Sequence, residues 1–330
     1  MQVIKARNVN DAYNSALWTM KMIGIKEQTR NGIALVAPYP IATVYNDPVE
    51  RMLFDPKRDA NPFFHVAEAI WMLAGKNEVG FVKRFASNMQ TFSDDGHTLN
   101  GAYGARWRDY FEYDQITEVI KLLRKDRHTR RAVLGMWDPA NDLTDQTSKD
   151  LPCNTHIYFR VNQGYLDMTV CCRSNDIIWG CYGANAVHMS YLQEFIALSC
   201  GFKVGTYTQI SNNWHVYEHH FNLVDSAATE DEHGYPYDDD NLESVPLIGG
   251  PDWSIQFLSE CGRFVDQVTN NVEIYGPYQC AYFNWVMVPL VKSWDNYKAG
   301  DTPRALQYAT TIRDDFISLA CQQWLNRRIK

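Results

Sequence analysis

None of the eight cysteines stands in a CxxC pair, although Cys171 and Cys172 are adjacent. Structural zinc sites and dithiol redox centres are built on that spacing. Its absence argues against both and for free thiols in a reducing cytoplasm. Also missing is any uninterrupted apolar run long enough to cross a bilayer, and the opening MQVIKARNVNDAY carries no apolar signal core. Basic charge is in deficit: 31 Lys and Arg against 39 Asp and Glu leave a net charge of -8 and a pI of about 5.6. A general nucleic-acid surface would be basic, so that function class is disfavoured. Repeats and interdomain linkers are absent too. What remains is a chain of 330 residues, 45% hydrophobic, enough for one large α/β domain spanning residues 1–330, with two domains as the alternative.

Periodicity predicts a helix from Asn10 to Ile23, with Ala16, Leu17, Met20 and Ile23 on one side and Asn10 as its cap. A turn follows at Gln28 to Gly32, then strands at Ile33–Val36 and Ile41–Tyr45. Pro62 to Leu73 reads as an almost wholly apolar helix, so Glu68 falls on a face that ought to be buried. A buried carboxylate needs a partner or a job, either a structural ion pair or chemistry. Asn88 to Asn100 is a polar loop, and Gly101 to Arg108 reads as a Gly-rich turn carrying Tyr103. Ile116–Leu123 is helical and runs into the basic cluster Arg124 to Arg131, then a strand from Ala132 to Trp137 and a polar loop from Asn141 to Lys149. Ala184 to Cys200 reads as a buried helix stopped by Gly201, and Lys203 to Ser211 as a strand. Ala227 to Pro251 is acidic and rich in Gly, Pro and Tyr. It reads as an exposed loop or insertion, with Asp238 to Asp240 solvated rather than holding a metal. Pro289–Trp294 and Pro303–Trp324 look helical, and the chain ends in the basic run Arg327-Arg328-Ile329-Lys330.

Chemistry concentrates between Asp150 and His220. Cys153 follows Pro152 at a loop end, and Arg173-Ser174 comes twenty residues later, after a strand-like alternation. A nearby guanidinium favours the thiolate, which is the nucleophilic form. Each piece alone has a blander reading: the cysteine as a small buried hydrophobe, Arg-Ser as a surface pair, His215 and Tyr217 as core.

Taken in order, Cys153, Arg173-Ser174-Asn175-Asp176, Asn185 and His215-Val216-Tyr217 resemble the thymidylate synthase family, and the resemblance extends more weakly from about Arg30 to Tyr217. It implies an α/β (α+β) fold with a large mixed β-sheet flanked by helices and a sheet-mediated homodimer. By resemblance, Cys153 is the nucleophile that adds to C6 of a pyrimidine deoxynucleotide, and HVAEAIWMLAG matches Glu68 to the glutamate that organises water. Tyr103, in a Tyr-Gly-x-x-Trp-Arg segment, assists loss of the C5 proton. Arg30, Arg173 and Ser174 bind the phosphate, with Arg130 and Arg131 supplied across the dimer. Asn185 reads the base, His215 and Tyr217 the sugar, and Asp176 the folate. The implied cofactor is 5,10-methylenetetrahydrofolate, with no metal. An amide at Asn185 offers a donor and an acceptor, as uracil requires, so dUMP is expected over dCMP.

The chain departs from the family pattern at Asn154, where His is usual, and at Cys172, where Gln is usual; the Gly180–Asn185 interval is one residue longer. The Asn88–Phe92 loop has no Trp and the chain end is basic rather than apolar. Both features favour water reaching a C5 methylene, and NDIIWGCYGAN resembles the bacteriophage branch that makes 5-hydroxymethyl pyrimidines. The expectation is therefore a deoxyuridylate hydroxymethylase in the cytoplasm of a phage's host. The alternatives are a thymidylate synthase shielded by Trp179, a dCMP hydroxymethylase, and a nucleotide-binding scaffold without chemistry.

Overall fold

The computed structural model describes residues 1–145, 147–227, 236–272 and 276–329. Its centre is a mixed sheet. Strand β1 (Gln2–Ala6) leads into helix α1 (Val9–Ile23), then the hairpin β2 (Ile25–Thr29) and β3 (Gly32–Val36), and β4 (Ile41–Tyr45). Helices α2 (Pro62–Leu73), α3 (Val79–Phe85), α4 (Tyr103–Arg108) and α5 (Gln115–Lys125) precede the short β5 (Val133–Gly135) and α6 (Pro139–Asp142). Strands β6 (Asn154–Asn162) and β7 (Tyr165–Asp176) form a hairpin, and α7 (Asn185–Cys200) crosses to β8 (Lys203–Tyr217). Helices α8 (Phe221–Asp225), α9 (Ser254–Thr269), α10 (Val288–Lys298), α11 (Thr302–Ala309) and α12 (Asp315–Asn326) complete the chain. The sheet order is β1-β4-β8-β7-β6-β5, with β3 added to the far end of β8 and β2 to β3. β7 and β8 run parallel, as do β1 and β4.

A parallel pair requires a crossover, and α7 supplies it. This helix is buried along nearly its whole length and stops at Gly201, whose φ of 74° suits the left-handed cap. It packs against α2, which is buried throughout, begins with Pro62 and is capped by Asn61. Among the described residues no helix is long and apolar enough to cross a membrane.

Several expectations need correction. The cap of α1 is Asn8, whose Oδ1 accepts from the N–H groups of Asn10 and Asp11; Asn10 lies inside the helix and its amide ties down Met52 and Phe54. The Gly-rich stretch at 101–108 is mostly helix rather than turn. Gly104 is there for close packing: a Cβ would lie 2.1 Å from Met72 O on α2. The strand at 132–137 shrinks to three residues, whereas β8 runs on through the polar Asn212 and Asn213 to Tyr217. The helix expected over 303–324 is two, α11 and α12. Residues 228–235 of the acidic 227–251 segment lie outside the described residues. The rest is not simply exposed: Tyr237 packs between Phe54 and Phe316, and Leu247 and Ile248 are buried. The basic end is engaged too, with Arg327 and Arg328 both paired to Asp59.

The polar loop expected over 141–149 hides a structural device. The side chains of Asp142 and Arg106 are both 1% exposed and form a two-pronged ion pair at 2.6 and 2.9 Å; Arg106 also donates to Met136 O. Removing one member leaves a buried charge alone. Arg106→Ala is therefore expected to cost about 3–5 kcal/mol in urea unfolding, and a loss under about 1 kcal/mol would contradict this pairing.

Candidate functional site

At the carboxyl end of β7, Asp176 Oδ1 accepts from the N–H groups of Ile178 and Trp179 at 2.6 and 3.0 Å. It thereby caps a π-helical stretch, Ile177–Ala184, that leads into α7. A π-helical turn holds one more residue than an α-helical one, and this stretch runs up to Asn185, where the chain is one residue longer than the family pattern. β8 ends alongside, with Asp176 opposite His215. His215 is buried, its Nδ1 is 2.8 Å from Asn213 Oδ1, and burial pulls its pKa below the usual imidazole value. Its ring meets that of Tyr217, whose hydroxyl accepts from Asn31 at 3.2 Å. That contact brings the β2–β3 turn, and the exposed Arg30 on it, to the same edge.

Cys153 lies just before β6 on the neighbouring strand. Arg173 shapes its loop: its N–H donates to Cys153 O at 2.8 Å, and its guanidinium donates to Pro152 O and Leu151 O. The N–H of Asn154 donates to the Tyr103 hydroxyl at 3.3 Å, which places that phenol beside the cysteine. Burial pushes the Tyr103 pKa well above the usual phenol value. Burial also raises the Cys153 thiol, and the opposing pull of Arg173 is smaller. The expectation of a lowered thiol pKa is thus reversed, because desolvation outweighs one exposed guanidinium.

Behind the cysteine runs a chain of buried amides. Asn154 Nδ2 donates to Asn185 Oδ1 at 3.2 Å, Asn185 Nδ2 to Asn175 Oδ1 at 3.1 Å, and Asn175 Nδ2 to Ser211 Oγ at 2.9 Å. One turn along α7 from Asn185 stands His188, whose Nε2 is 2.7 Å from Glu68 Oε2 on α2. The two atoms are close but misaligned for a hydrogen bond. His65, one turn before Glu68, is buried in the same place; burial, with Arg58 and His188 adding to it, holds its pKa well below the usual imidazole value. Arg58 itself donates to Ile178 O at 2.7 Å.

Comparison with known proteins fits this geometry. The thymidylate synthase family description matches residues 57–238. The whole chain is similar to the deoxyuridylate hydroxymethyltransferase of Pseudomonas phage M6, 42% identical over 99% of this chain and 95% of that protein. The enzyme of the same name from Bacillus phage SP01 is 34% identical over 72% of this chain and 67% of its own. The chain belongs to the thymidylate synthase family. Its fold matches the crystal structure of thymidylate synthase from T4 phage with a TM-score of 0.56 and 20% identity, covering 81% of this chain and 96% of that one.

Set against the thymidylate synthase pattern, the fold brings Cys153, Tyr103, Glu68, Asn185, Arg173, Ser174, Asp176, His215, Tyr217 and Arg30 to the β7–β8 end of the sheet. Arg130 and Arg131 are elsewhere. Ala132 O accepts from Phe159 N near the far end of β6, so the pair lies about 20 Å along the strand from Cys153. Both are exposed and neither side chain has a partner among the described residues. Arg124, from the same basic cluster, is tied instead to Ser199 O near the end of α7. Sequence reasoning passed over His188, His65 and Arg58. Two i,i+3 pairs, His65 with Glu68 and Asn185 with His188, were the available signal, since such pairs share a helix face.

The raised Cys153 pKa has a direct consequence, because only the thiolate alkylates. In the ligand-free protein, iodoacetamide labelling of the Cys153 peptide is expected to rise about tenfold per pH unit and to keep rising above roughly pH 8.5. Arg173→Gln removes a cation that favours the thiolate, so its profile moves to still higher pH. A wild-type plateau at neutral pH, followed by mass spectrometry, would rule this out.

Proposed function

We propose that this chain is a deoxyuridylate hydroxymethylase: dUMP, 5,10-methylenetetrahydrofolate and water give 5-hydroxymethyl-dUMP and tetrahydrofolate. The observation that carries this reading is the similarity along 99% of the chain to a phage protein named for that activity. The single domain works in the cytoplasm of the phage's host, in keeping with its free cysteines.

The Cys153 thiolate adds to C6 of the uracil, which makes C5 a carbon nucleophile. Asn185, oriented by Asn154 and Asn175, offers its remaining donor and acceptor positions to O4 and N3–H, and so selects dUMP over dCMP. Arg30, Arg173 and Ser174 hold the phosphate, and His215 and Tyr217 the 3′-hydroxyl. The one-carbon unit comes from the folate. Residues beside Asp176 suit a pterin: Trp179 is 40% exposed and rests on Phe64, which offers a flat apolar face next to a carboxylate. Tyr103 assists removal of the C5 proton, and Glu68 manages water at the ring. Register of the two substrates is worth about 7–11 kcal/mol of the barrier.

The exposed Trp179 ring also favours a second reading, in which it shields the methylene and the product is dTMP. Incubation with dUMP, dCMP and methylenetetrahydrofolate separates these. The expected result is a hydroxymethyl-sized mass gain on dUMP alone, with no dihydrofolate absorbance. A methyl-sized gain with stoichiometric dihydrofolate would establish the thymidylate synthase reading instead, and a gain on dCMP would remove Asn185 as a reader of uracil.

We further propose a homodimer in which Arg130 and Arg131 reach the partner's phosphate, since they lie too far from Cys153 in their own chain. Arg130→Ala and Cys153→Ser proteins, each inactive, are expected to regain activity when their subunits are exchanged. Exchanged subunits that stay inactive would count against shared sites.

A further inference from the structure

The Glu68–His188 contact does more than bury a carboxylate. His188 is 3% exposed and Glu68 6%. Glu68 Oε2 and His188 Nε2 face each other outside ordinary hydrogen-bond angles, and His188 Nδ1 has no partner among the described residues. Burying polar atoms without well-aligned partners is costly, so a helix pair that gathers them needs a reason. At 2.7 Å two bare lone pairs would repel, so one of the two groups carries a proton at the contact even though the angle is not that of an ordinary hydrogen bond. With that proton on Nε2, His188 keeps Nδ1 as a free acceptor. His65, the other imidazole here, is held neutral by burial and adds no competing cation.

We infer that His188 is a positioning residue that shares a proton with Glu68 and aims the carboxylate at the water that attacks the C5 methylene. This rests on the hydroxymethylase reading above. In that step a water O–H bond breaks and its proton passes to the Glu68–His188 pair. The oxygen forms a bond to the exocyclic carbon, and the C=C pair moves to C5 and O4. That pair then closes the C5=C6 bond as the C6–S bond breaks, which releases the Cys153 thiolate. No oxidant or reductant is needed. Both partners lie within helices, on faces locked by the packing of α2 against α7, and rigid elements hold such a pair well.

The test separates C5 proton loss, which comes before water attack, from product formation. Wild-type protein, His188→Gln and His188→Leu are given 5-tritiated dUMP and methylenetetrahydrofolate. Tritium release, 5-hydroxymethyl-dUMP and the adduct formed with an added small thiol are followed. The glutamine variant keeps a donor and similar bulk but cannot carry a proton, so it is expected to fold and to bind dUMP as wild type does. Its tritium release should change by less than about threefold while hydroxymethyl product falls on the order of 10²-fold and the thiol adduct accumulates. The leucine variant should show the same split. Equal loss of tritium release and product in the glutamine variant would mean a merely structural role and would overturn the inference. So would unchanged product formation. If wild-type protein itself yields dTMP and dihydrofolate, the hydroxymethylase reading falls, and this inference with it. Wild-type hydroxymethylation without the split overturns the inference alone.

Discussion

The parallel pairing of β7 and β8 is the constraint on which the rest depends. Parallel neighbours cannot be joined by a hairpin, so the chain must leave the end of β7, cross one face of the sheet and return. The crossover is α7, and its first residues therefore sit at the carboxyl ends of both strands. Arg173 to Asp176, Asn185 and His215 to Tyr217 are far apart in sequence and adjacent in space for this single reason. Ligands in sheets of this kind collect at the carboxyl ends of strands where the connections diverge. The β6–β7 hairpin brings Cys153 back to the same end, opposite Arg173, with Asn154 opposite Cys172.

Around that end the polar groups fall into two kinds. Some also hold the protein's own backbone: two of the Arg173 guanidinium nitrogens donate to the carbonyls of Leu151 and Pro152, and Asp176 Oδ1 caps the π-helical turn. Others are buried with bonding capacity to spare, among them Glu68, His188 and the Oδ1 of Asn154. The first kind sets the shape of the site. The second kind is what a substrate or a water has to satisfy, and low dielectric makes each such bond strong. The thiol of Cys153 is governed by the same burial: desolvation favours its protonated form over the pull of Arg173.

Sequence by itself determined the elements with one-sided or continuous apolar patterns. Helix α2 with its Pro62 start, β4, and α7 with its Gly201 stop were legible because burial, turn chemistry and capping act over a few residues. The candidate residues were legible too, through their order along the chain and a resemblance. Boundaries set by distant partners were not. Gly104 reads as a turn glycine until Met72 is seen against it, and Asn212-Asn213 reads as a strand end until β8 is seen running on to pair with β3.

Only the tertiary structure decided the energetic balance. Arg173 twenty residues from Cys153 suggests a thiolate, yet the sign of the shift depends on how much water the fold removes. The π-helical turn that seats Asn185, the amide chain from Asn154 to Ser211, and the Glu68–His188 contact arise where α2, α7, β6, β7 and β8 meet. Local propensity acts along the chain and can be read from it. Desolvation and hydrogen-bond partnership act across the core, between residues from ten positions apart, as with Asn175 and Asn185, to more than a hundred, as with Glu68 and His188, and exist only once the elements have packed.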